Sequence, residues 1–111
     1  MAAIYFTITG LSHYFGDEFF EPGMKVKLTK EPDNDYDKEA IMVEIDGLGK
    51  VGYVANNPRT VLGESFSAGR LYDRIADTAA GEVLYKLPGG ILCTLDSESV
   101  IYTPPVITKA E

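Results

Sequence analysis

The sequence is poor in the residues that most metal-binding, cross-linked and membrane-bound proteins use. Its one cysteine, Cys93, allows no disulfide within the chain, and its one histidine, His13, cannot form the His and Cys clusters that bind zinc. No apolar run approaches the roughly 18 residues that cross a bilayer, and the first residues lack a basic segment followed by an apolar one. We therefore expect a soluble cytoplasmic protein without membrane contact.

Positive charge is also scarce, with 10 Lys and Arg residues against 17 Asp and Glu residues and a formal net charge of -7. Affinity for nucleic acid comes largely from Lys and Arg side chains that displace counterions from phosphates. Tight, general binding to duplex DNA is therefore not expected. A contact with one strand end needs only a few groups and stays open, and the acidic excess would also suit a basic protein partner.

Motifs for catalysis and for cofactor binding are missing as well. The chain has no G-x-S-x-G nucleophile turn, no G-x-x-x-x-G-K-[ST] phosphate loop and no dinucleotide fingerprint. Asp37 and His13 could act as a base and its orienting group only if the fold brought them into contact. We predict neither catalytic residues nor a cofactor.

What is present is a pattern of short strands in a chain of 111 residues, which suits a single domain over residues 1–111. Alternating apolar residues predict about seven strands. Six of them fall at residues 4–9, 40–46, 50–54, 82–87, 91–95 and 99–102, and one more begins at residue 24. Pro104-Pro105 then ends regular structure. In the first strand, Ile4, Phe6 and Ile8 share the apolar face, whereas Thr7 lies on the other face.

Two helices are predicted between the fourth and fifth strands. Asn57-Pro58 resembles a helix start that ends near Gly63. Ser67 is a suitable cap for a second helix, whose apolar stripe runs from Ala68 to Ala76, with Arg70 and Arg74 on a solvated face. We predict a mainly β fold, a small, partly closed antiparallel barrel with one to two inserted helices. The alternative is a two-layer α+β sandwich.

The most unusual stretch is residues 31–41, where five acids and one tyrosine stand between two predicted strands. Acidic oxygens at Asp33, Asp35, Asp37 and Glu44 have the spacing of a calcium loop. However, Lys38 occupies the position at which that loop needs glycine, and the stretch leads into a strand rather than a helix. We therefore predict no metal site and expect acids that bond local backbone amides.

Three motifs in this sequence resemble the HIRAN domain. They are Gly10-Leu11-x-x-Tyr14-x-Gly16, Glu31-Pro32-x-Asn34-x-Tyr36-Asp37-x-x-Ala40-Ile41-x-Val43 and Val51-Gly52-Tyr53-Val54, within a match from about residue 4 to residue 87. The resemblance implies a small barrel related to the OB fold. Such domains occur as free-standing proteins and in DNA translocases that remodel stalled replication forks, where they hold the 3′-hydroxyl end of single-stranded DNA.

The resemblance also implies a set of nucleic-acid-binding residues. Tyr36 would stack on a base and Asp37 would accept a hydrogen bond from the terminal 3′-hydroxyl. The other implied contact positions are Ser12, His13, Tyr53, Asn56 and Asn57. At Ser12, Asn56 and Asn57 the DNA-binding relatives carry basic residues, and Tyr53 stands where they carry a histidine.

From this pattern we predict a non-enzymatic module that binds single-stranded DNA 3′ ends more weakly than its basic relatives. The alternative is a protein-interaction or accessory module that has kept the barrel and lost DNA binding. The local alternatives are a core or turn tyrosine at position 36 and a carboxylate at position 37 that caps the backbone.

Overall fold

Six antiparallel strands form a closed barrel in the computed structural model, which describes residues 3–101. The strands are β1 (Tyr5–Thr9), β2 (Lys25–Lys30), β3 (Ile41–Ile45), β4 (Gly49–Val54), β5 (Thr78–Leu87) and β6 (Gly90–Leu95). Around the ring their order is β1-β4-β3-β2-β5-β6, and the pairing of β1 with β6 completes it. The barrel prediction is thus confirmed, with full rather than partial closure, and the α+β sandwich is excluded.

The strands close into a barrel because their alternation buries one apolar face. Phe6 and Ile8 of β1, Leu28 of β2, Val43 of β3 and Val83 of β5 are fully buried in one cluster. Burial of each such side chain is worth about 1.5–3 kcal/mol. Cys93 on β6 is buried in this core, and burial raises the pKa of its thiol to about 12. It is therefore a packing residue rather than a nucleophile.

The prediction of a helix from Asn57 to Gly63 was wrong, because this segment forms turns that dock on β1. The Asn57 side chain accepts a hydrogen bond from the Arg59 N–H, as a cap would, but no helix follows. Thr7 Oγ1 instead accepts from the Leu62 N–H at 3.2 Å and contacts the Ser65 hydroxyl at 2.9 Å. These contacts bury Thr7, which the alternation had placed on an open face, and they hold the segment in an irregular path.

The second predicted helix exists but is short. Helix α1 (Ala68–Tyr72) begins at the Ser67 cap, whose hydroxyl accepts from the Arg70 N–H at 3.3 Å. It ends before Ala76 because the chain must extend to join the sheet, where Lys30 N–H donates to Asp77 O at 2.9 Å. Strand β5 consequently starts at Thr78, ahead of the predicted start at residue 82.

The last predicted strand is not present in its described part. Residues Ser97–Ser99 form a 3₁₀ turn, and the Ile101 N–H donates to Arg74 O at 2.8 Å. Tyr102 and the Pro104-Pro105 pair lie outside the described residues. Over residues 3–101, none of the helices has the length and apolar character needed to span a membrane.

Candidate nucleic-acid interface

The loop between β2 and β3 is shaped by the Asn34 side chain. The Glu31 N–H donates to Ala40 O at 2.8 Å and closes the base of the loop. Asn34 Oδ1 then accepts two backbone hydrogen bonds, from the N–H groups of Tyr36 at 2.8 Å and Asp37 at 3.0 Å. Asparagine favours this kind of turn because its short side chain reaches the backbone amides that follow it.

Both carboxylate oxygens of Asp37 accept hydrogen bonds. Oδ1 accepts from the Glu39 N–H, and Oδ2 accepts from Asn56 Nδ2, each at 2.9 Å. Asn56 is itself fixed, because its Oδ1 accepts from the Gly69 N–H in α1 at 2.8 Å. An ionised carboxylate offers about four acceptor positions. Asp37 is therefore held in one orientation and can still accept a hydrogen bond from a ligand.

Beside Asp37 the Tyr36 side chain is 97% exposed, which is unusual for an aromatic residue. It stands at the edge of an open depression with a volume of about 460 Å³. The lining comprises Thr9, Tyr14, Asn34, Tyr36, Asp37, Ala40, Tyr53, Val54, Asn56, Asn57 and Thr60. Strands β1 and β4, the loop before β3 and the segments after β1 and β4 thus enclose a site with aromatic, hydroxyl, amide and carboxylate groups.

A hydrogen-bonded network supports the loop from the barrel side. Glu31 Oε1 accepts from the Tyr53 hydroxyl at 2.7 Å and from Asn34 Nδ2 at 3.0 Å, and Lys50 Nζ donates to the Tyr53 oxygen at 3.0 Å. Burial alone would raise the pKa of Glu31, but the hydrogen bonds from Tyr53 and Asn34, helped by the charge of Lys50, lower it below its ordinary value. The hydrogen bond to Tyr53 raises the pKa of Lys50.

The phenol in this network is neutral at physiological pH. Burial and the hydrogen bond to Glu31 raise the pKa of Tyr53 above its ordinary value. Tyr53 therefore donates to the carboxylate of Glu31 and accepts from the ammonium of Lys50. Its ring also lies 5.0 Å from Lys50 Nζ and lines the depression.

The structure brings together five of the seven nucleic-acid-binding residues predicted from the sequence, namely Tyr36, Asp37, Tyr53, Asn56 and Asn57. Ser12 and His13 lie apart from that lining, exposed on a 3₁₀ turn (Leu11–His13). Ser12 borders a separate depression with Gly89 and Gly90. Asp37 and His13 are thus not joined in a base and orienter pair by any described hydrogen bond.

Six lining residues were not among the predicted contacts, namely Thr9, Tyr14, Asn34, Ala40, Val54 and Thr60, and Asn34, Ala40 and Val54 belong to the quoted motifs. Tyr14 belongs to the first quoted motif, so the sequence did contain a signal for it. Thr9 lines the depression because β1 pairs with β4, which places the end of β1 beside Tyr53. Thr60 lines the depression because the chain forms an irregular turn after Asn57. No pattern in the sequence indicated this turn.

The acids of the loop do not gather as a calcium site would require. Among residues 3–101 no three His, Cys, Asp or Glu side chains are placed to share a metal ion. Asp37 faces Asn56, whereas Asp33 and Asp35 are exposed. Glu44 lies on β3, opposite Lys27 of β2 and Lys50 of β4.

Comparison with known proteins agrees with this architecture. The sequence model of the HIRAN domain matches residues 1–70, more than half of the chain. The chain belongs to the HIRAN domain family. The match covers β1 to β4 and the loop that carries Tyr36 and Asp37. HIRAN domains are known as modules that bind the 3′ ends of single-stranded DNA.

The fold is also that of a solved structure, the crystal structure of the HIRAN domain of human HLTF. The TM-score is 0.57 at 21% sequence identity, and the alignment covers 85% of this chain and 74% of that one. At this identity the likeness concerns the fold. None of the curated proteins matches the chain.

Proposed function

We propose that this HIRAN domain binds the 3′-hydroxyl end of single-stranded DNA in the depression beside Tyr36. The terminal base would stack on the Tyr36 ring, and the terminal hydroxyl would donate a hydrogen bond to the Asp37 carboxylate. The observation that carries this proposal is the pairing of an almost fully exposed aromatic ring with a neighbouring carboxylate that Asn56 and Glu39 hold in place.

The two contacts fit a neutral strand end better than a phosphorylated one. An aromatic ring stacks on any base, and such stacking is worth about 1–3 kcal/mol. A hydrogen bond to a carboxylate adds about 1.5–3 kcal/mol, whereas a terminal phosphate would be repelled by the same group. The sum is at most about 6 kcal/mol, so we expect a Kd no tighter than tens of micromolar. The role is binding without catalysis.

Fluorescence anisotropy with two short single strands tests this proposal. One strand ends in a 3′-hydroxyl and the other in a 3′-phosphate, with the dye at the 5′ end of both. We expect the hydroxyl strand to bind at least tenfold more tightly, because its hydrogen bond to a charged acceptor would be replaced by repulsion. Equal binding of both strands, or binding of neither, would contradict the proposal.

Asp37→Asn is the informative variant, because asparagine keeps the shape and an acceptor oxygen for Asn56. It should lose the preference for the hydroxyl end. Asp35→Asn is the matched control, since it removes the same charge from an exposed position of the same loop. The control should keep the preference, which separates a specific contact from the general effect of negative charge.

A second candidate role is supported by a different surface. Phe15 is 53% exposed and packs edge-on against Phe19, with ring centroids 6.5 Å apart, and exposed acids at Asp17, Glu18 and Glu21 adjoin them in sequence. Exposed aromatics beside acids suit a basic protein partner. Phe15→Ser separates the two roles, because it should leave strand binding unchanged and weaken binding of a peptide rich in Arg and Leu.

A further inference from the structure

The charge distribution of the Tyr36 depression indicates which part of a strand it can recognise. Among the described residues, no Lys or Arg side chain contributes to its lining, whose only charged group is Asp37. We infer that the ligand of this site is an uncharged terminal nucleoside, with the backbone phosphates adding little. This inference rests on the proposed function and specifies its chemistry.

The ammonium group of Lys50, which contacts the lining residues Tyr14 and Tyr53, is already engaged. Lys50 Nζ lies 5.7 Å from the centroid of the Tyr14 ring, but it donates to the Tyr53 oxygen and stands 3.9 Å from Glu31 Oε2. Lys38 and Arg59 adjoin lining residues in sequence, yet both lie outside the lining. A phosphate near the depression would therefore meet no Lys or Arg side chain in the described lining itself.

The lysines at the two ends of β2 have other partners. Lys25 pairs with Asp96 at 2.9 Å and with Glu82 at 3.6 Å, and Lys30 Nζ lies 4.4 Å from the centroid of the Tyr72 ring. The carboxylates of Glu31 and Glu39 are close to the Asp37 loop. At distances within a Debye length of about 10 Å, their negative charge offsets attraction to phosphates.

The neutral groups of the lining match the chemistry of one nucleoside. The exposed face of Tyr36 offers stacking, and Thr9, Thr60 and Asn57 offer neutral donors and acceptors. The carboxylate of Asp37 is the natural acceptor for a sugar hydroxyl. A depression of about 460 Å³ is within the usual range for a small-molecule site. A strand end and a free nucleoside present this same chemistry.

The test is a two-dimensional NMR titration of the full chain with thymidine and with a short strand that ends in a 3′-hydroxyl thymidine. We expect both to shift the amide signals of Tyr36, Asp37 and Asn57, with dissociation constants within tenfold of each other. Each phosphate neutralised on a single strand would lower affinity about threefold between 50 and 200 mM salt. We expect the affinity for the strand to fall less than threefold over this salt range.

The outcomes separate this inference from the function on which it rests. A strand that binds more than tenfold more tightly than thymidine, or loses more than threefold over that salt range, would overturn the inference and leave 3′-end binding intact. Absence of binding by both ligands would overturn the inference together with the proposed function.

Two variants keep the test independent of protein stability. Asp37→Asn should lose thymidine binding and Asp35→Asn should retain it, while both keep well-dispersed amide spectra. Thymidine binding that survives Asp37→Asn unchanged would overturn the assignment of the carboxylate as the hydroxyl acceptor.

Discussion

The side-chain amide of Asn56 joins two parts of the chain, because it donates to Asp37 Oδ2 at 2.9 Å and accepts from the Gly69 N–H at 2.8 Å. Asn56 follows β4, Asp37 belongs to the loop before β3, and Gly69 lies in α1. The orientation of Asp37 therefore depends on Asn56, which also lines the depression. We propose that Asn56 acts as a positioning residue through Asp37.

Replacement of Asn56 by alanine should weaken both the fold and the site. The change removes a hydrogen bond to a carboxylate and leaves the Gly69 N–H without its acceptor, at a cost of about 1–3 kcal/mol in the free energy of unfolding. Urea unfolding would measure this cost, and anisotropy would show lower affinity for the 3′-hydroxyl strand.

Asn57→Ala is the neighbouring control for that variant. Asn57 is exposed, and its side chain accepts only from the Arg59 N–H among the described hydrogen bonds. Because Asn57 lines the depression but has no described hydrogen bond to Asp37, we expect a smaller loss of stability, weaker binding of both strands and an unchanged preference for the hydroxyl end. An equal loss of preference in both variants would argue against a positioning role for Asn56.

Tyr36→Ala should separate binding from stability. Because the side chain is 97% exposed, its removal should change the free energy of unfolding by less than about 0.5 kcal/mol. Loss of stacking, at about 1–3 kcal/mol, corresponds to an increase in Kd of about 5- to 150-fold. Anisotropy titrations alongside thermal melts would measure both quantities.

Two further variants calibrate this result. Tyr36→Phe keeps the stacking face and should bind nearly as well as the unchanged protein. Tyr85→Ala removes another tyrosine, 60% exposed and outside the depression, and should leave the Kd unaltered. A similar loss of affinity at Tyr85 would indicate non-specific stacking.

The network at Glu31 predicts a dependence of stability on pH. Burial acts to raise the pKa of Glu31, but the hydrogen bonds from Tyr53 and Asn34 outweigh it, and the pKa in the folded protein lies below the ordinary value of 4.5. The stabilisation is therefore complete above pH 4.5 and is lost as pH falls through the lowered folded value.

Glu31→Gln measures this contribution. The difference in unfolding free energy between the unchanged protein and the variant should be largest near neutral pH and should shrink as pH falls below 4.5. Repeated in a Tyr53→Phe background, the pH-dependent part should be smaller, because the phenol donor is gone. A difference that grows at acid pH would contradict this account.

Two glycines near the site should respond in opposite ways to alanine. A Cβ at Gly52 would lie 2.6 Å from the Thr9 carbonyl oxygen and 2.8 Å from Ile8 Cγ2, so β1 and β4 would have to separate. We expect Gly52→Ala to cost about 1–3 kcal/mol, as overpacked cores do. Thermal unfolding would report the loss.

Gly69→Ala is the contrasting case. Its Cβ would meet Glu39 Oε1 at 2.6 Å, but that atom is the end of an exposed, flexible side chain. Alanine also favours helix α1 by about 0.5–1 kcal/mol over glycine. We expect a neutral or stabilising effect, and a clear loss of stability would show that Glu39 cannot move.

The strands were predictable because their two-residue alternation survives in the barrel, as in Val26 and Leu28 of β2. The segment after Asn57 was not, because Thr7 on a distant strand decides its path through Leu62 and Ser65. Local capping signals are worth less than such tertiary contacts.

In the candidate site, too, residues in a local motif were predictable and contacts between distant residues were not. Tyr36 and Asp37 were indicated by their motif. Of the acids expected to bond local amides, Asp37 does so by accepting from the Glu39 N–H, whereas the turn bonds at Tyr36 and Asp37 are accepted by the amide of Asn34. The bond from Asn56 to Asp37 joins residues 19 positions apart, which no spacing rule could specify. Lys50 was missed for a similar reason, since its partners Tyr53 and Glu31 come together only across the barrel wall.

The order of strands around the ring makes the binding loop dependent on residues far along the chain. Strand β2, which leads into that loop, has β5 as its second neighbour, and β1 has β6. A polypeptide that stopped at residue 70 would leave one edge of each strand unpaired and open to association with other chains. During synthesis, the barrel that carries the loop with Tyr36 would thus close only after β6 has emerged, and such long-range closure makes folding slow.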